Sequence, residues 1–249
     1  MNSDPPPGGS GPARPLRRNL AIAGLVVAVM VVAALVTAAR GAGPGRSATS
    51  RPVSLTAGPA GTVIFQGTPG QVRIVGADTG QVRLTGTLDW TRHAPVVVDR
   101  RTSGGRVLSL SYRCAAASPC TGTFRLVVPR HTAVVLRQPS GHMIVSGLAG
   151  PLRITARSVD ISATGLRSPS LVAAITSGHL GATFAAAPRQ VGITLTSAQA
   201  TLWLPASTAY AVSQQVTAGY VHVGIPLAAA SARTVTATVS SGELELLGR

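Results

Sequence analysis

The stretch LRQPSGHMIVSG, Leu136 to Gly147, returns as AAITSGHLGATF, Ala173 to Phe184, and again as TATVSSGELELLG, Thr236 to Gly248. Each places apolar residues at alternate positions after a Ser-Gly step. Period-two alternation marks a strand with one face toward a core. Glycine allows the chain to bend where a Cβ would crowd the backbone. Taking Gly141, Arg157, Gly178, Ala198, Gly219 and Gly242 as equivalent gives intervals of 16, 21, 20, 21 and 23 residues. Two residues after this anchor stand Met143, Val159, Leu180, Ala200, Val221 and Leu244, and four after it stand Val145, Ile161, Ala182, Leu202, Val223 and Leu246. All are apolar. Three residues before the anchor are Gln138, Ile154, Ile175, Leu195, Val216 and Val239, apolar in all rows but the first. Each repeat reads as two short strands joined at a corner, with Gly141, Gly178, Gly219 and Gly242 at corners.

A unit of ~20 residues without a helix, whose columns match from row to row, predicts a parallel β-solenoid with coils ~4.8 Å apart. One coil cannot bury its apolar side alone, so stacking builds a long thin core. The alternative is an antiparallel β-sandwich with evenly spaced turns. Upstream, GTVIFQG from Gly61, GQVRIVG from Gly70 and GQVRLTG from Gly80 predict strands at a ten-residue step. Further strands are predicted at Pro95–Asp99, Arg106–Tyr112, Thr123–Val128 and Ala133–Arg137. The fold class expected over 53–249 is all-β. Aromatics make up only 3% of the chain, which suits a narrow core of Val, Ile, Leu and Ala.

Residues 1–19 are rich in Pro, Gly and Ser and are expected to be a disordered cytoplasmic tail. Leu20 to Ala39 is a twenty-residue run whose only polar side chain is Thr37. It is long enough to cross ~30 Å of hydrocarbon as a signal-anchor helix. A cleavable signal peptide is the alternative. Residues 40–52 read as a Gly, Ser and Pro linker. Three arginines on each side of the apolar run leave the orientation undecided. The pair Cys114 and Cys120 decides it, because a short loop closed by two cysteines is expected to be a disulfide, and disulfides persist outside the cytosol. The expected location is the cell membrane, single-pass, with the N-terminus cytoplasmic and the C-terminal domain extracytoplasmic.

The stretches QPSGHMIVSGLAG, AITSGHLGATF, QQVTAGYVHV and TVSSGELELLG, preceded by VRIVGADTGQVRLTGTLDW and RVLSLSYRC, resemble the bacterial "putative adhesin" family, an envelope domain of unknown function. The resemblance covers roughly residues 60 to 249 and implies a β-solenoid at the cell surface. The repeat around Arg157 departs from the family pattern at the glycine corner.

Enzyme chemistry is not expected. The chain has no lysine for a phosphate loop or Schiff base, and lacks G-x-S-x-G and H-E-x-x-H. A polysaccharide-acting β-helix would gather carboxylates on one face. After the linker only Asp78, Asp89, Asp99, Asp160, Glu243 and Glu245 remain, and Glu243 and Glu245 suit a charged capping edge. His142 and His179 share an outward column two coils apart, about 10 Å, too far for one metal ion. No cofactor or metal is expected. Sixteen arginines against six carboxylates beyond the linker favour anionic partners such as cell-wall polymers or lipid headgroups. Nucleic acid is not expected, because the aromatics do not interleave with the arginines. A membrane-protein partner in envelope-stress sensing is the competing possibility.

Overall fold

The computed structural model describes residues 48–102, 104–115 and 118–249. Every element among them is a strand, and none is a helix long and apolar enough to cross a membrane. The tail 1–19, the apolar run 20–39 and residues 40–47 lie outside the described residues.

The strands are β1 (Thr49–Ala57), β2 (Thr62–Gln66), β3 (Gly70–Ala77), β4 (Val82–Trp90), β5 (Val96–Thr102), β6 (Val107–Arg113), β7 (Cys120–Pro129), β8 (Ala133–Ser146), β9 (Leu152–Leu166), β10 (Ser170–Phe184), β11 (Gln190–Leu204), β12 (Ala211–Gly224) and β13 (Thr234–Gly248). β1 begins four residues before the expected domain start at Val53.

All thirteen strands belong to one sheet, whose main path runs β1-β4-β7-β3-β8-β9-β10-β11-β13-β12. From β8 onward every strand pairing is parallel, with one register shift where β9 meets β10 between Ala182 and Phe184. The first half of β8 pairs with β2 and the second half with β3, so β2 and β3 together occupy one level beside β8. β6 pairs with β2 and β7 with β3, also parallel, and form the next level out. Beyond them β5 on β6, β4 on β7 and β1 on β4 are antiparallel, which departs from an all-parallel expectation. An antiparallel hairpin needs only a short turn, whereas a parallel pair needs a longer return.

Within β8, β9, β10, β11 and β13 the buried residues change parity near the middle. β10 buries Leu171, Ala173 and Ile175, then Leu180, Ala182 and Phe184. β13 buries Val235, Ala237 and Val239, then Leu244 and Leu246. A straight strand with one buried face keeps its parity. The switch lets both halves face the core. Besides Phe184 and Tyr210, the buried aromatics of this aliphatic core gather at the N-terminal levels, where Phe65 meets Phe124 edge-on at 5.4 Å and Tyr112 lies 4.9 Å from Phe124. Burial, with Asp99 nearby as a smaller cause, pushes the Tyr112 hydroxyl up to about 12.

The order of levels departs from a sequential stack at both ends. β13 sits between β11 and β12, and the β2/β3 level sits between β6/β7 and β8. β12 is therefore the edge, and its inward Val221 and Val223 are half-buried where full burial was expected. Glu243 and Glu245 lie on an interior strand, with β12 on one side and β11 on the other. They do not form a capping edge.

Candidate functional site

In β8, β9, β10, β11 and β13 the parity switch falls on one column, which continues into β3 and β7 on one side and β12 on the other. Gly122, Gly70, Gly141, Val159, Gly178, Ala198, Gly242 and Gly219 stand successively opposite one another on β7, β3, β8, β9, β10, β11, β13 and β12. Gly141 and Gly178 have φ of +111° and +108°. A Cβ on either would strike the carbonyl oxygen of the preceding member, Gly70 for Gly141 and Val159 for Gly178. Only glycine fits there without strain.

The β9 row corrects the sequence alignment. Val159, not Arg157, faces Gly141 and Gly178, so Ile161 and Ala163 take the places opposite Met143 and Val145. The intervals between the first four corners become 18, 19 and 20 residues. Val159 and Ala198 turn buried side chains inward at the column, so a Cβ is accepted on these two strands. Met143, Val145, Val159, Ile161, Leu180, Leu202, Leu244 and Leu246 are all buried.

Released from the corner, Arg157 lies on the surface and lines a cleft of about 440 Å³ with Arg113 and Arg137. The walls include Gln66, Thr155 and Cys114, and no carboxylate is among the lining residues. Arg113 ends β6, Arg137 lies on β8 opposite Gln66 and Thr155, and Arg157 lies on β9. From β6 through β2 and β8 to β9 is three strand steps, about 14 Å. The three guanidinium groups thus come from levels spread along the sheet. None has an acidic or hydrogen-bonding partner among the described residues, whereas Arg130 is clamped to Asp78 at 2.6 Å. Beside the cleft, Gln138 occupies the inward place held elsewhere by Ala156, Ile175, Leu195, Val239 and Val216. Its amide donates to the carbonyls of Gly70 at 2.9 Å and Ser140 at 3.0 Å, which explains the one polar row in that column.

Cys114 and Cys120 are bonded, with Cα atoms 5.4 Å apart, and close the turn between β6 and β7 next to Arg113. A second basic feature lies on the outward side of the other sheet half. Arg73 on β3 stands opposite Arg125 on β7, and both are exposed. Like charges placed opposite one another repel.

The outward column beside the corner reads His142, Asp160, His179, Gln199, Glu243 and Tyr220 in spatial order. The corrected β9 register places Asp160 between the histidines, 3.6 Å from His142. The Tyr220 hydroxyl donates to Glu243, and that hydrogen bond is the first cause holding the phenol above its ordinary pKa. Among the described residues no group of three or more His, Cys, Asp and Glu side chains is placed to hold a metal ion.

The cleft was not visible in the sequence. Its three arginines lie on separate strands, and the alignment had assigned Arg157 to a corner.

No family model matches this sequence, and no curated protein matches it. Among solved structures, the chain is similar to a "putative cell adhesion protein" of Clostridium sporogenes at 10% identity and TM-score 0.49, covering 81% of this chain and 100% of that one. It is similar to a "putative adhesin" of Bacteroides fragilis at 10% identity and TM-score 0.42, covering 82% of this chain and 99% of that one. A "putative lipid binding protein" of Parabacteroides distasonis is similar at 8% identity and TM-score 0.29, covering 80% and 97%.

Proposed function

We propose that this chain is a non-enzymatic, adhesin-like protein of the cell envelope, tethered through residues 20–39 with residues 48–249 outside, that binds anionic polymers. The observation that carries this reading is the cleft lined by Arg113, Arg137 and Arg157 without a carboxylate. Unpaired guanidinium groups held a few strand spacings apart suit an extended chain of anions better than one compact ion, and each offers a bidentate fork to phosphate or carboxylate. Arg73 and Arg125 add a second positive patch on the outward side of the other half of the sheet. On the fold itself, the corner column and the parity switch support a β-solenoid whose end coils are stacked out of sequence order.

The test is equilibrium binding of the full chain to a poly(glycerol phosphate) polymer and to phosphatidylglycerol vesicles over a salt series. Affinity for the polymer should fall steeply as salt rises. Arg113→Gln, Arg137→Gln and Arg157→Gln should each weaken it by about fivefold, as about 1 kcal/mol per arginine implies. Vesicle binding that exceeds polymer binding would assign the cleft to headgroups. Binding to neither at low salt would overturn the reading.

A further inference from the structure

β12 ends the sheet, and its outer backbone edge is paired by no described strand. Eight consecutive residues, Ser213 to Tyr220, are exposed. Natural edges are usually blocked by charge or proline. The edge strands at the opposite end follow that practice, since β1 carries Arg51 and Pro52 and β5 carries Asp99, Arg100 and Arg101. β12, AVSQQVTAGYVHVG, has no Asp, Glu, Arg, Lys or Pro.

This edge exposes Val216 at 38% and Tyr220 at 54%, and Leu227 in the segment after β12 is 62% exposed. Val212, Val221 and Val223 stand opposite Val235, Leu244 and Leu246, which are fully buried, yet are themselves only half-buried. The difference is a missing neighbour on the far side of β12.

We propose that two copies of this chain pair edge to edge through β12, antiparallel about a twofold axis. The charge distribution selects a second copy as the occupant. Residues 170–249 hold three arginines against two glutamates, whereas β1 to β8 and their turns carry most of the excess positive charge. Two copies meeting at β12 join at their least charged ends. β1 is nine strand steps away, about 43 Å, so the arginine-rich ends of the pair stay far apart. An acidic partner would instead favour the opposite end. A twofold contact uses the same surface on both chains and closes, so growth stops at two. It also supplies the unpaired β12 backbone with hydrogen-bond partners and covers the half-buried valines. The anion-binding cleft on β6, β8 and β9 plays no part in this contact.

The experiment uses the full chain in detergent. Its two cysteines are bonded to each other, so a cysteine introduced by Ala218→Cys is the sole free thiol. A short bis-maleimide should convert Ala218→Cys largely to covalent dimer, while Val97→Cys on β5 should give none. Sedimentation of the unmodified chain should report a dimer. Val216→Lys and, on the solvent side, Tyr220→Lys should each lower the dimer fraction at least tenfold without loss of the β-sheet circular dichroism. The proposal is overturned by a monomer at all concentrations up to about 50 µM. It is equally overturned by a dimer linked through Val97→Cys, by a mixed product joining the two variants, or by a dimer that both lysine variants leave intact.

Discussion

Gly178 stands opposite Val159 on the neighbouring strand, and a β-carbon on Gly178 would strike the carbonyl oxygen of Val159. The obstacle is backbone, which cannot swing aside as a side-chain tip can. With φ at +108°, any side chain there is also strained. Gly178→Ala should cost about 2 to 4 kcal/mol, read as a lowered urea midpoint with unchanged slope. Gly165 is the control, since it too has positive φ, at +62°, but nothing within 4 Å of its added Cβ. Gly165→Ala should cost only about 1 kcal/mol. Equal losses at both sites would show that the corner column is not closely stacked.

The out-of-sequence placement of β13 can be tested by paired truncations. Leu244 and Val221 face one another, but Leu244 is buried on both sides and Val221 lies on the edge strand. Leu244→Ala should cost about 3 kcal/mol and Val221→Ala less than about 1.5 kcal/mol. Were the strands stacked in sequence order, β13 would be the edge and the ranking would reverse. Chemical denaturation of both variants at one protein concentration distinguishes the two orders.

Tyr112 makes alkaline stability a readout of the N-terminal aromatic cluster. Its folded pKa is raised from 10.0 to about 12, chiefly by burial. The folded state therefore favours the neutral phenol. That contribution is fully present below pH 10 and is lost as pH climbs from 10 toward 12. Wild-type stability should fall by on the order of 2 kcal/mol more than that of Tyr112→Phe between pH 9 and pH 11.5. Denaturation midpoints for the two proteins at both pH values supply the comparison. Parallel losses would mean that Tyr112 titrates in the folded protein as it does in the unfolded chain.

Much of this architecture was legible because stacking repeats its demands. Gly141, Gly178, Gly219 and Gly242 recur in the corner column, and the apolar alternation around them fixes which side faces inward. The β9 register was misread because ARSVDIS has no glycine, and Val159 and Ile161 are apolar two apart, so a shift of two preserves the pattern. The order of β12 and β13 was hidden for a related reason. Val221 and Val223 fill the same columns as Leu244 and Leu246, so the apolar pattern fits either neighbour of β11. A signal was nonetheless present in Gln214, a polar residue in the inward column held by Ala237 on β13. The cleft left no local trace, because Arg113, Arg137 and Arg157 meet only when β6, β8 and β9 align around β2.

Arg73 and Arg125 provide the sharpest separation of stability from binding. They sit opposite one another on β3 and β7, and Arg125 faces Thr85 on its other side. The pair repels, so Arg125→Thr, which extends the threonine already present on β4, should raise stability by about 0.5 kcal/mol at low salt. The gain should shrink as salt screens the charges. If these arginines belong to a polyanion-binding face, the same substitution should weaken poly(glycerol phosphate) binding by a few-fold and flatten its salt dependence. A basic surface that merely reflects composition would gain the stability and lose no binding. Opposite signs in the two measurements, made on one variant across one salt series, are the expected mark of arginines kept together for a ligand in spite of their repulsion.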